Sequence, residues 1–210
     1  GMAVRDDWHG RGVGTALTNG PDGPPTPEYL DGEVQPAIDA VVASGAESLQ
    51  GPAADLQAAV DAALAGEDSE GAAFGAYGAM AAEAHTGCGF ATVDVSAVNY
   101  AFVDLPATLP AGTASFSLTN EAEEDHELVL LRKGDGETRT AEELLALPQD
   151  EAETLVSFVG VTFAGPGETG YVAAELETGA YFTVCFLPVG GGDQGPPHFT
   201  EGMVAEFEVT

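Results

Sequence analysis

The sequence predicts a mainly β protein, a sandwich or barrel of about 120 residues preceded by a small α-helical segment. Three observations predict it. Apolar residues recur with helical spacing up to Thr86-Gly87 and alternate in pairs beyond it. The alternating runs are short, seven or eight in number, and separated by turn residues. Apolar residues make up 44% of the 210-residue chain, enough for a packed core and too many for a disordered polymer. The boundaries that follow are an irregular arm over 1–25, a helical segment of about three short helices over 26–86, and the β domain over 87–210.

The arm is rich in Gly, Pro and Asp and has no period. Its Gly10, Gly12 and Gly14 touch a phosphate-loop spacing but follow no strand and lack the lysine that chemistry needs. From Pro27, preceded by Thr26 as N-cap, Leu30, Val34, Ile38 and Val41 form one helical stripe. Gly51-Pro52 reads as a break, followed by a second stripe of Leu56, Val60 and Leu64. A third helix over about 69–85 places Phe74, Tyr77 and Met80 on one side, read as core. His85 then falls at a helix C-terminus, where a cation is favoured.

Strands are expected at 90–96, 100–103, 114–119 and 126–131, with Pro110-Ala-Gly112 as a turn. Thr140-Ala-Glu-Glu is a capping box opening a helical turn that stops near Pro148, and a second helical piece is expected from Asp150 to about Phe158. Strands resume at 161–163, 170–175, 181–186 and 203–209.

Charge limits function. The chain has 35 acidic residues against five basic ones, a formal net charge of −30. Such a surface repels nucleic acid phosphates and anionic lipid heads, and any macromolecular partner is expected to offer a basic face. The acidic residues are spread along the chain, which reads as a solvated surface, and a salt-adapted source is one explanation of it. No run of 18 apolar residues occurs, so no membrane-spanning helix is expected. The first residues, GMAVRDDWHGRG, lack a signal peptide's apolar stretch, while Gly1 reads as a tag remnant with room for a leader upstream. The expected home is extracytoplasmic: periplasmic, secreted or surface-anchored.

Four soft or borderline metal ligands sit at the ends of the expected strands: His126, Cys185, His198 and Met203. Two imidazoles and a thiolate, with a weak axial thioether, form the ligand set of a blue-copper site. Thiolate and thioether favour Cu(I), imidazole accommodates Cu(II), and a rigid sandwich keeps reorganisation small when an electron moves. Around these residues the chain resembles the cupredoxin family. Pro110-Ala-Gly112, Phe116-Ser-Leu-Thr-Asn120 and then His126 are similar to the family's passage into its first histidine ligand. Gly165-Pro-Gly-Glu-Thr and Glu177-Thr-Gly-Ala-Tyr-Phe-Thr-Val-Cys185 resemble its last hairpin, and His198-Phe-Thr-Glu-Gly-Met203 has its histidine-to-methionine spacing. The likeness covers about Gly89 to Thr210. Twelve residues separate Cys185 from His198, a longer ligand loop than many members have.

The resemblance implies a cupredoxin-like Greek-key β-sandwich holding copper. His126 would be the buried imidazole, Cys185 the thiolate, His198 the imidazole near the surface, Met203 the axial ligand, and Asn120 a hydrogen-bonding brace of the ligand loop. The protein would then be a non-enzymatic single-electron carrier or copper holder. The residues leave alternatives open. Two cysteines in an exported protein also read as a Cys88–Cys185 disulfide, which removes the thiolate and leaves a metal-free structural or interaction module. Without the thiolate, His126, His198 and Met203 would make at most a colourless site. Singly, His126 reads as a strand-end histidine and Met203 as core. His9 is a lone histidine, and the Glu121-Ala-Glu-Glu-Asp125 run lacks the glycine turn of a calcium loop and reads as a solvated acidic loop. No catalytic nucleophile elbow, zinc-protease helix or paired CxxC occurs.

Overall fold

The helical stripe of residues 49–60 and the alternating runs beyond 90 build two separate units, one ending at Phe90 and one spanning Ala91–Thr210. The computed structural model describes Gln35, Ile38, Asp39 and residues 47–65, 72–191 and 195–210. The arm over 1–25, His9 and most of the first expected helix lie outside the described residues. Of that helix, Ile38 is helical and buried.

The helical unit contains α1 (Glu47–Leu64) and α2 (Ala72–Gly87). Leu49, Ala53, Leu56 and Val60 of α1 are spaced four, three and four apart, so they share one face. That face is buried with Ile38, Met80 and Ala84 in one cluster, where Tyr77 and Cys88 also pack. The expected break at Gly51-Pro52 does not occur: α1 runs through Pro52. Proline removes one N–H near the N-terminal end, next to the first turn, whose donors have no intrahelical acceptor in any case. The apolar face continues across it and outweighs that loss. His85 lies in the last turn of α2.

The second unit is the expected β-sandwich. One sheet holds β1 (Ala91–Val98), β2 (Ala101–Val103), β4 (Gly112–Asn120) and β7 (Thr169–Leu176), in the order β2-β1-β4-β7. The other holds β3 (Thr108–Leu109), β5 (His126–Lys133), β6 (Val156–Ala164), β8 (Gly179–Val184) and β9 (Val204–Val209), in the order β3-β9-β8-β5-β6. Both sheets are mixed, because β1 pairs with β4 and β3 with β9 in parallel. Alternation supplies the core: Val93, Val95 and Ala97, then Phe116 and Leu118, then Leu128 and Leu130, then Val172 and Leu176, then Phe207 and Val209 all point between the sheets.

The short α3 (Ala141–Leu145) has the expected capping box, with Thr140 Oγ1 accepting from Glu143 N–H and Glu143 accepting from Thr140 N–H. The second helical piece is cut short: α4 covers only Gln149–Ala152, and β6 begins at Val156. Val156, Ser157 and Phe158 pair with Lys133, Arg132 and Leu131 of β5, so the ladder claims residues that local pattern assigns to helix. The register shifts between Leu130 and Leu131, leaving Val159 as the extra residue of a β-bulge.

Register decides where chemistry can gather. Val184 at the end of β8 pairs with Val129 near the start of β5 and with Val204 at the start of β9. His126, Cys185 and Met203 therefore stand side by side at one end of the five-stranded sheet.

Candidate metal centre

His126 opens β5 and pairs with Ala164, so its position is set by the sheet. Cys185 follows β8 directly, and its N–H donates to the Met203 carbonyl at 3.2 Å. His198 begins a single 3₁₀ turn, His198–Glu201, after Pro197. Gly202 closes that turn at φ 110°, a left-handed conformation that turns the chain back into β9 and delivers Met203. The His198 N–H donates to the Leu187 carbonyl at 2.8 Å, Phe199 N–H to Cys185 at 3.0 Å and Met203 N–H to His198 at 3.2 Å. The twelve-residue loop is thus pinned at its base, and the Pro188–Pro197 bridge with the 2.9 Å Val189-to-Pro196 bond closes its outer part as a ribbon. Extra length is spent beyond the site, and His198 returns beside Cys185.

The donor atoms converge. The His198 Nδ1 lies 3.3 Å from the Cys185 Sγ and 3.1 Å from the His126 Nδ1. One donor atom from each of the three residues falls within 4.8 Å of the others. Relative exposure is 0% for His126 and Cys185, 1% for His198 and 0% for Met203. Met203 packs in the same core cluster as Cys185.

Electrostatics favour neutral donors. Burial, then the neighbouring His198, depresses the His126 pKa to about 4, and burial also lowers that of His198. Both rings are neutral at neutral pH and carry a free lone pair each. Burial, reinforced by Glu127, pushes the Cys185 thiol far above the ordinary range, so a thiolate here needs a bound cation. Glu127 N–H points at the sulfur from 3.5 Å, and the Glu127 carboxyl, itself raised to about 7 by burial, accepts from Phe186 N–H at 2.9 Å.

The residues fit a soft or borderline metal. Metal–nitrogen and metal–sulfur bonds of about 2.0–2.3 Å put donors around one ion roughly 3–4 Å apart, and His198 Nδ1 stands at that spacing from both Cys185 Sγ and His126 Nδ1. The two Nδ1 atoms, 3.1 Å apart, can share one proton or one cation.

Asn120 braces the loop that leads into His126. Its Nδ2 donates to the Glu124 carbonyl at 2.7 Å and the Ala164 carbonyl at 2.9 Å, and its Oδ1 accepts from Ala122 N–H at 2.9 Å. It thereby ties residues 121–125 to the end of β6, whereas the Cys185–Met203 loop is held by its own backbone and by the Glu124 and Glu127 carboxyls. Cys88 and Cys185 both carry free thiols in the structure.

Two residues next to the centre were not legible as such. Glu124, read with its neighbours as solvated, instead turns inward: its Oε2 lies 3.3 Å from the His198 Nε2 and accepts from Gly190 N–H at 2.7 Å. Tyr100, between β1 and β2, donates its hydroxyl to Glu124 at 2.9 Å and rests its ring 4.9 Å from that of His198. The contacts that turn Glu124 inward come from Tyr100, Gly190 and His198, all distant in sequence and invisible to composition. Glu121, Glu123 and Asp125 are exposed, as expected.

No family model matches the sequence, and neither does any curated protein. Among solved structures, the chain is similar to dithionite-reduced auracyanin from Roseiflexus castenholzii, at 18% identity and a TM-score of 0.39 over 57% of this chain and 96% of that one. It is similar also to auracyanin A, a blue copper protein from Chloroflexus aurantiacus, at 21% identity and a TM-score of 0.36 over 58% and 100%. Rusticyanin from Thiobacillus ferrooxidans matches at 19% identity and a TM-score of 0.36 over 57% and 76%.

Proposed function

We propose that the sandwich binds one copper ion through His126, Cys185 and His198, with Met203 as a weak axial ligand, and serves as a single-electron carrier rather than an enzyme. The observation that carries this reading is the convergence of two imidazole Nδ1 atoms and one sulfur from three buried residues. Bound copper would supply a one-electron Cu(II)/Cu(I) couple. The protein's own part is to hold unlike ligands in a fixed frame and to exclude water. Burial of every donor favours electron transfer over copper delivery, because delivery requires a partner's ligands to reach the ion. An extracytoplasmic home and a redox partner with a basic face complete the reading; the latter suits a net charge of −30.

Stoichiometric Cu(II) should produce an intense visible absorption from sulfur-to-copper charge transfer. Cys185→Ser should abolish that band while leaving the far-ultraviolet circular dichroism of the sandwich unchanged. Copper binding without the band, or a band that survives the substitution, would remove the thiolate from the site.

A further inference from the structure

We propose that Glu124 is a positioning residue for His198: it holds the ring in the Nε2–H tautomer and strengthens Nδ1 as a donor, biasing the centre toward Cu(II). The inference rests on the copper reading above and deepens it.

The geometry is specific. A carboxylate oxygen can only accept, so the 3.3 Å contact from Glu124 Oε2 to the His198 Nε2 places the ring proton on Nε2. The lone pair is then left on Nδ1, the atom that faces Cys185 Sγ and His126 Nδ1. With His198 1% exposed, bulk solvent does not compete for that proton.

Glu124 is itself held from three directions, two at its carboxylate and one at its backbone carbonyl. Gly190 N–H donates to Oε2 from the long loop, Tyr100 donates its hydroxyl to Oε1 from the turn after β1, and Asn120 holds the Glu124 carbonyl from the end of β4. A surface glutamate has no reason to be held so often. A charged acceptor on the outer nitrogen of a ligating imidazole orients the ring and raises its basicity, and loss of such a partner commonly costs about 10–100-fold in metal affinity.

The test compares Glu124→Ala, Glu124→Gln and Tyr100→Phe with the unchanged protein. In the metal-free protein, nitrogen-15 NMR should find His198 wholly in the Nε2–H form. Glu124→Ala should give a mixture of tautomers, and Glu124→Gln, which keeps an acceptor oxygen, should restore the single form. With copper, Glu124→Ala and Glu124→Gln should both lose about 10–100-fold in Cu(II) affinity with less change for Cu(I). Each tenfold difference raises the reduction potential by about 59 mV. Tyr100→Phe removes one anchor and should shift the potential in the same direction by less, which keeps the test available if the alanine variant does not fold.

An Nδ1–H tautomer in the unchanged protein, or a tautomer and potential indifferent to all three substitutions, would overturn the proposal. Absence of the charge-transfer band in the unchanged protein, with the tautomer behaving as described, would defeat the copper reading and the Cu(II) bias but leave Glu124 as the residue that orients His198.

Discussion

At the scale of single residues, burial governs the chemistry. Among the described residues no cation offsets the burial of Cys185; desolvation and the adjacent Glu127 hold it as a thiol. The imidazoles need no such help, since desolvation leaves them neutral. The reverse case lies far from the centre, at Glu137. The Arg139 guanidinium, 2.7 Å away, holds this carboxyl at about 2, below its ordinary 4.5. A depressed carboxyl pKa contributes stability that is complete above pH 4.5 and is lost as pH falls through 2. Glu137→Gln should therefore be less stable than the unchanged protein at pH 7, with the gap closing between pH 4.5 and 2. Denaturant midpoints across that range give the measurement, and a gap that stays constant with pH would show that the ion pair contributes nothing to folding.

At the scale of elements, the long ligand loop is the feature the sequence made hardest to read. Twelve residues separate Cys185 from His198, more than many cupredoxins have, yet contacts between Pro188-Val189 and Pro196-Pro197 close the loop, so the two ligands meet as they would across a short turn. Gly195 makes that closure possible, because a Cβ there would collide with the Val189 carbonyl. Gly195→Ala should force the ribbon apart and lower copper affinity by about tenfold, the lower end of what loosened support for a metal ligand costs. A copper titration measures it; unchanged affinity would mean that the base of the loop alone sets the ligand spacing. The strand pattern from residue 90 onward was legible because alternation reports a half-buried sheet directly, and His126, Cys185, His198 and Met203 were legible because their chemistry is uncommon. Three things were not. The run of α1 through Pro52 depends on an apolar face that continues past a local breaker. The start of β6 at Val156 depends on a partner strand distant in sequence. The inward turn of Glu124 depends on hydrogen bonds from Tyr100 and Gly190, 24 and 66 residues away, which no local window contains.

At the scale of the whole molecule, charge and closure act together. Of the five basic residues, Arg132, Lys133 and Arg139 are each paired with a carboxylate, at 2.8, 3.0 and 2.7 Å. The acidic field is therefore little offset on the sandwich. Oxidation of the copper-loaded, reduced protein by a small cationic complex should be fast at low ionic strength and slow steeply as salt rises, while an anionic complex should show the opposite trend. Stopped-flow rates across a salt series decide it, and rates indifferent to salt would argue that the field does not reach the point of electron entry. The wall over His198, built from Tyr100 and Glu124, has a different consequence for the two kinds of traffic such a centre must manage. Electrons can tunnel through a tyrosine ring and a few ångströms of packed protein without disturbing them. An ion cannot. On the copper reading, loading the metal would require Tyr100 and Glu124 to move aside, whereas a loaded protein would exchange electrons with that wall in place.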